Sequence, residues 1–461
     1  MRYDFIIVGA GPCGIFAAIE SLKLNKNIKI LLIDQGLGIT KRKCPISMGN
    51  IKFCPKGRCS PACSITSGFG GAGAYSDGKY NITTEFGGWL GEYMSNSQLL
   101  ELIKYVDDIN LQFGAPNEIT DPTTDEVFSI EQRAAGAGLK LLRSRVRHLG
   151  TENNLKMLEA ISDYLEQKIE ILFSTKVQDI LLNNGTACGI VTDKGQEYFA
   201  KHILIAPGRS GAKWFQDMLA KKGLLLENNR VDIGVRAETS DIVMHNINKH
   251  LYEAKLIFFS SSGLFVRTFC ANPSGHVVVE NHDGIMAVNG HAFRAQELGS
   301  RNTNFALLVS HTFTLPFNKP NEYAREICNR ANDLSNGGVI IQNFGDILKD
   351  RRSTDKRIAE GFIEPTLKEA VPGDLSLVLP YKTMKSLIEM THALDKVTPG
   401  FATDHTLFYG VEAKFYSARP ILNKNLQTQI PNLYAAGDGA GITRGLAQAA
   451  AAGVHMARGI V

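Results

Sequence analysis

An α/β fold is predicted for this chain by three observations. A short apolar run over residues 3–8 leads directly into Gly9-x-Gly11-x-x-Gly14 and a small-residue, helix-forming segment. A second apolar run over 28–33 ends at Asp34, twenty residues after Gly14. Near the C-terminus another short apolar run, 432–436, ends in Gly437-Asp438 and gives way to an alanine-rich stretch over 447–457. Continuous apolar runs of this length suit strands buried on both faces of a parallel sheet. The two ends of the chain therefore share one Rossmann-like sheet, and the segment between them, of different texture, is an inserted α+β domain.

The first turn has the residues that a dinucleotide requires. Gly9 allows the tight turn, Gly11 lets the backbone approach a pyrophosphate, and Gly14 lets helix and strand pack closely. The N-terminus of the following helix faces the phosphates, and an acid at position 34 can accept from ribose hydroxyls. A purely structural glycine turn is the alternative.

Length, at 461 residues, allows two or three domains. Apolar content of 44% and charged content of 21% are those of a globular protein. A net charge of +4 without an arginine-rich run or basic repeat gives no reason to expect nucleic acid as a partner. No stretch has the length and apolarity of a membrane-spanning helix, and the N-terminal run carries Asp4 and only Arg2 as a basic flank, unlike a secretory signal. A cytoplasmic protein without membrane partners is expected, with its eight cysteines reduced unless they bind metal or cycle.

Residues 37–88 are rich in Gly, Cys, Ser and Pro, and the run from Ser67 to Lys79 is too dense in glycine for a helix or strand interior. Phe69 and Tyr75 argue for an ordered loop packed on a cofactor. Helices are expected over 97–113 and 154–167. Strands are expected over 169–173, 176–182 and 189–192, the last two joined by the hairpin turn Asn183-Asn184-Gly185. A further strand over 198–206 ends at Ala206-Pro207-Gly208, before a helix with Trp214, Phe215 and Leu219. Arg133, Arg143, Arg145, Arg147 and His148 form either a solvated face or a set of anion contacts. Strands over 231–236, 264–270, 276–280, 285–288 and 305–313, with helices over 320–334 and 384–394, fill the inserted domain. The expected boundaries are 1–220 and 401–461 for the nucleotide domain, and 221–400 for the insert.

The turn at Gly9, Gly11 and Gly14 with Asp34, the mid-chain run 203–208, and Tyr434-Ala435-Ala436-Gly437-Asp438 together resemble the two-dinucleotide-binding-domain flavoproteins of the glutathione reductase superfamily. The resemblance implies an FAD-binding domain with a substrate or cap domain inserted. It places Asp438 on the ribityl and pyrophosphate region, and Asp34 on the adenosine ribose, where that family more often has Glu. Pro207 stands where it usually has Thr. FAD is expected to meet Gly9, Gly11, Gly14, Asp34, Gly70, Gly71, Gly73, Val177, Ala206, Gly208, Gly437, Asp438, Arg444, Gly445 and Leu446. The loop from Ser67 to Lys79 and the run from Gly437 to Ala449 look more narrowly like a group of bacterial FAD-dependent dehydrogenases of mostly unassigned substrate. Disulfide reductases of the wider superfamily carry a second glycine motif for NAD(P)H. None follows a strand in 220–400, so NAD(P)H is expected only as a transient donor, with an electron-donor protein as the other source.

Cys44, Cys54, Cys59 and Cys63 place four thiols within twenty residues, at spacings of x9, x4 and x3. Three readings stand: ordinary loop thiols, a zinc or iron–sulfur site, and a redox-active pair such as Cys59 and Cys63. Lys56 and Arg58 would favour thiolate. For catalysis nothing in the spacing singles out a residue. His276, His282, His291, His311, His405 and Arg267 are the candidates. The expected function is an FAD-dependent oxidoreductase moving hydride at flavin N5 to or from a small organic substrate. An FAD-dependent monooxygenase, an RNA-modifying flavoprotein and a non-catalytic redox sensor are the rivals.

Overall fold

The computed structural model describes residues 2–45, 48, 50, 59–76, 78–251, 254–282, 284–292, 296–314, 316–317, 319–416 and 418–461. The chain divides into two compact units. The first comprises Met1–Asp121, Ser144–Glu227 and Ser417–Val461, and the second Pro122–Arg143 and Asn228–Tyr416.

The first unit is built on a seven-stranded sheet. Its order is Glu170–Leu172, Ile30–Ile33, Arg2–Val8, Glu197–Ile205, Thr186–Thr192 and Val177–Asn183, with Leu433–Ala435 also pairing to Glu197–Ile205. The five strands nearest the glycine turn run parallel, in registers such as Phe5↔Ile30, Ile6↔Ile203, Leu31↔Glu170 and Leu433↔Ile203. Phe5, Ile6, Ile7, Leu31 and Leu204 are fully buried, as continuous apolar runs demand. Asn184 and Gly185 both take positive φ, 49° and 78°, the pair of left-handed residues of a two-residue hairpin turn. The helix Asn96–Gln112 starts in a capping box, Ser95 and Gln98 satisfying each other's backbone N–H groups. The helices Pro12–Leu24 and Leu446–Arg458 pack so closely that a Cβ on Gly453 would lie 2.1 Å from the Cys13 carbonyl oxygen. The alanines at 450–452, all fully buried, permit that approach.

The basic stretch of the sequence is resolved into ion pairs. Arg147 donates from Nε and Nη2 to Asp107 at 2.6 and 2.7 Å, and is almost wholly buried. Arg145 pairs with Asp121 and, in the second unit, Arg143 with Glu131. These three arginines are therefore committed to carboxylates of the chain.

The second unit holds an eight-stranded sheet, in the order Val371–Pro372, Ile340–Asn343, Leu407–Lys414, Val231–Ser240, Asn302–His311, Phe265–Asn272, Lys255–Phe259 and Leu139–Leu142. Strand alternation sorts its central residues. Val231, Ile233, Val235, Phe305, Leu307 and Val309 join a core with Val127, Met244, Ile327, Leu387 and Met390 of four flanking helices. Each such side chain contributes about 1.5–3 kcal/mol by leaving water. Asp232, Arg236 and Glu238 alternate with them and occupy the other face, part of which is covered by the hairpin of His276–His282 and Ile285–His291.

The helix Pro320–Leu334 has the expected bounds. The divisions of the chain differ from the expected ones at three places. The middle segment of the first unit runs on past 220 to Glu227, where Leu226–Glu227 pairs with Arg419–Pro420. Residues 122–143 go to the second unit, because Leu139–Leu142 pairs with Lys255–Phe259 at the sheet edge. The return to the first unit falls after Tyr416, because Leu407–Lys414 is paired on both sides within the second sheet.

Candidate nucleotide-binding site

The glycine turn is fixed by close backbone contacts. Gly9 has φ of 111°, and an added Cβ would lie 2.0 Å from the Ala206 carbonyl oxygen. A Cβ on Gly14 would lie 2.0 Å from the Gly9 carbonyl oxygen. Gly11 differs, since a Cβ there meets nothing nearer than the Gly71 Cα at 3.9 Å. Two glycines are thus demanded by the protein's own packing, while the third has room for a Cβ at ordinary contact distance. That room lies at the start of the helix Pro12–Leu24, where Gly11 is the N-cap and supplies no capping side chain. Backbone N–H groups of a first turn carry partial positive charge and suit a phosphate.

Asp34 ends the strand Ile30–Ile33 and is buried. Its Oδ2 accepts from the Ala10 N–H at 2.8 Å and its Oδ1 from the Gly36 N–H at 2.7 Å. Burial raises its pKa, and these N–H groups together with the Arg42 charge oppose the rise. The carboxylate ties the second strand to the glycine turn and keeps further lone pairs for a ribose hydroxyl. Val177 is buried at the start of its strand. Two residues earlier, the Thr175 N–H donates to the Asp34 carbonyl at 3.0 Å.

The glycine-rich loop sits on the same turn. The Gly70 N–H donates to the Ala10 carbonyl at 2.8 Å, and a Cβ on Gly71 would be 3.2 Å from the Gly11 Cα. A Cβ on Gly73 would be 2.4 Å from Leu446 Cδ2. The buried guanidinium of Arg42 pins this loop by donating to the carbonyls of Ser64, Ile65 and Phe69.

From the C-terminal return, Asp438 is half-buried, with Oδ1 accepting from the Thr443 hydroxyl at 2.8 Å. Burial pushes its pKa up, against the charges of Arg209 and Arg444. Gly437 lies beside Cys13, and a Cβ on Gly439 would be 2.0 Å from the Gly208 carbonyl oxygen. Gly445 is the N-cap of the helix beginning at Leu446, and the Arg444 N–H donates to the Gly87 carbonyl at 2.7 Å. The segments 9–14, 34–36, 70–73, 206–208 and 437–446 therefore converge on one place. Arg209, Thr443 and Arg42 belong to it and were not singled out in the sequence. A basic residue directly after Ala206-Pro207-Gly208 was the available signal for Arg209.

Residues 233–415 match the family model described as FAD-dependent protein, C-terminal domain-like. The second unit is similar to a domain of FAD-dependent proteins. A curated protein of Clostridium beijerinckii, described as uncharacterized, is 27% identical over 485 residues, covering 99% of this chain and 80% of its own length. Similar solved structures include the formate oxidase of Aspergillus oryzae, at 14% identity and a TM-score of 0.42, covering 100% of this chain and 98% of that one. The glycine oxidase of Geobacillus kaustophilus has 13% identity and a TM-score of 0.36 over 100% and 94%. The L-proline dehydrogenase of P. horikoshii has 12% and 0.38 over 99% and 92%. The family match supports the expectation of an FAD-dependent protein, and it concerns FAD alone.

Among the described residues no three His, Cys, Asp or Glu side chains group to hold a metal ion. Cys59 and Cys63 are free thiols, Cys44 is half-buried in the same segment, and Cys54 lies outside the described residues with Lys56 and Arg58. Burial raises the Cys63 thiol, but the Thr66 hydroxyl and the N–H groups of Ile65 and Thr66 outweigh it and hold its pKa below the usual value. Among the described residues no helix is long and apolar enough to cross a membrane.

The catalytic candidates are scattered. His276 Nε2 lies 3.0 Å from the Leu298 carbonyl, His405 lies tilted against Phe362 with ring centroids 4.3 Å apart, and His291 ends its strand in an exposed position. The side chain of His282 lies outside the described residues. His311, 3.1 Å from the Thr383 hydroxyl, and Arg267 belong to a polar group around Asp232.

Proposed function

We propose that this protein is an FAD-dependent oxidoreductase that holds FAD non-covalently in its first unit and acts on a small organic substrate at its second. The observation that carries the reading is the contrast at the first turn, where backbone crowds the Cβ positions of Gly9 and Gly14 but leaves room at Gly11. FAD supplies two-electron chemistry, taking or giving hydride at N5. The chain's residues do the rest. The N–H groups at the start of Pro12–Leu24 hold the pyrophosphate, Asp34 the adenosine ribose, and Asp438 the ribityl chain. Arg444 and the start of Leu446–Arg458 set positive charge against the pyrimidine edge.

The test is reconstitution. Protein stripped of cofactor, given FAD at a hundred times its Kd, gains about 2.7 kcal/mol of stability. FMN, which lacks the adenosine half that Asp34 and the glycine turn would hold, stabilises it far less. Equal stabilisation by FAD and FMN, or none by either, rejects the reading. Anaerobic mixing with NADPH then identifies the electron source: prompt bleaching assigns a nicotinamide donor, and persistent oxidised flavin assigns the substrate or a protein donor.

A further inference from the structure

We propose that a cavity in the second unit, between the helix Pro320–Leu334 and residues 377–380, binds a free α-amino acid with an apolar side chain. The proposal goes beyond the FAD reading and does not depend on it.

The cavity measures about 280 Å³. One wall is a single face of the helix. Tyr323, Glu326, Ile327 and Arg330 follow one another at helical spacing, so their side chains form one stripe. The other wall is 377–380, which ends the short turn Leu375–Leu377 and leads into the helix Tyr381–Val397. Both walls are fixed. Ala324, Ile327, Cys328 and Ala331 anchor the first helix in the core. The Tyr323 ring packs edge-on against Phe313 and Phe317, with centroids 5.2 and 6.2 Å away. On the opposite wall the Asp374 carboxylate accepts from the Ser376 N–H at 2.9 Å, and Val378 and Leu379 are buried. Walls that are already ordered lose little freedom when a ligand enters.

The cavity has two charged residues, and they are of opposite sign. Glu326 and Arg330 stand one turn apart on its wall. A glutamate four residues before an arginine ordinarily pairs with it along a helix. At the start of the same helix Lys319 and Glu322 do pair, at 2.9 Å. Glu326 and Arg330 stay apart, and among the described residues neither makes a hydrogen bond or an ion pair. The Arg330 charge is turned along the cavity wall. It acts on the Tyr323 hydroxyl, opposing the rise that burial gives the Tyr323 pKa.

The lining selects the ligand. A carboxylate suits Arg330. The helix Tyr381–Val397 has Pro380 as its N-cap and no capping side chain, so its first turn adds partial positive charge in favour of that carboxylate. An ammonium group suits Glu326. Ile327, the Tyr323 ring and the apolar residues of 377–380 are left for an apolar side chain. A ligand with one charge forgoes one of the two ionic contacts. The volume lies just under the range of roughly 300–1,000 Å³ usual for drug-sized ligands, which suits one amino acid and excludes a peptide.

The experiment is calorimetric titration of the purified holoprotein at neutral pH and low ionic strength with leucine and phenylalanine. Each is compared with the acid that lacks its amine, isocaproate or hydrocinnamate, and with the amine that lacks its carboxylate, isopentylamine or phenethylamine. Each amino acid is expected to bind at least tenfold more tightly than both of its analogues. Glu326→Gln is expected to abolish the preference over the acid, and Arg330→Gln the preference over the amine. Both side chains are exposed, so neither substitution should disturb folding. Failure of both amino acids to bind, or an analogue that binds as tightly as its amino acid, overturns the proposal. So does a preference over the acid that survives Glu326→Gln, or one over the amine that survives Arg330→Gln. The comparison of analogues needs no variant and decides the question by itself.

Discussion

The carbonyl oxygen of Ala206 occupies the place where a side chain on Gly9 would begin, 2.0 Å from its Cβ position. The two residues end adjacent parallel strands, and the Ala206 N–H donates to the Val8 carbonyl at 2.8 Å. Neither backbone can withdraw without breaking that ladder. Gly9→Ala also demands a non-glycine residue at φ of 111°. The variant is expected to lose about 3 kcal/mol or more, read by urea unfolding, and wild-type stability in it would contradict the packing described.

Gly11→Ala has the opposite signature. The added methyl meets no protein atom within 3.9 Å, and φ of −80° is ordinary. Cofactor-free protein should keep its stability within about 0.5 kcal/mol, while the flavin retained on purification falls at least tenfold. A variant that keeps its flavin would show that the pyrophosphate does not lie against Gly11.

The charged centre of the second unit predicts an acid limit. Asp232 and Glu412 are fully buried. Burial raises their pKa values, but Arg267 on the first and Arg236 and Lys414 on the second more than reverse this, leaving both below the ordinary range. Their stabilisation is present above the unfolded carboxylate pKa, about 4, and is lost as pH falls through the depressed folded values. Melting temperature should therefore drop as pH falls below about 4. Glu412→Gln leaves Arg236 without its counter-charge and should cost about 3–5 kcal/mol at neutral pH. A melt unchanged by the substitution would contradict the ion pair.

Arg444 bears on redox potential. Its charge acts on Asp438, and it immediately precedes the N-cap of Leu446–Arg458. If it faces the pyrimidine edge, Arg444→Ala lowers the two-electron potential by on the order of 30 mV, about 1.4 kcal/mol. Spectroelectrochemical titration checks this, and an unshifted potential removes Arg444 from that edge.

Local chemistry made part of this molecule legible in the sequence. The glycine turn, the Asn184-Gly185 hairpin and the helix Pro320–Leu334 are each specified within a few residues, by turn conformation, capping or apolar period. The convergence of 70–73 and 437–446 on that turn was legible because glycine density marks close backbone approach. What stayed hidden depends on distant partners. Leu139–Leu142 is a strand because Lys255–Phe259 lies beside it, and Arg147 is buried because Asp107 neutralises it. The group of Asp232, Arg267 and Tyr416 draws on positions up to 184 apart, and no spacing rule joins them. The same reasoning limits the four-cysteine segment, for which a metal was one of three readings: the described residues assemble no metal site, and Cys54 lies outside them.

The most direct test is the visible spectrum of the freshly purified protein, with acid release and mass determination of any bound cofactor. The account predicts oxidised-flavin absorption and close to one FAD per chain, released without covalent attachment. A colourless protein that neither retains nor rebinds FAD would contradict it, and the glycine turn would then be purely structural.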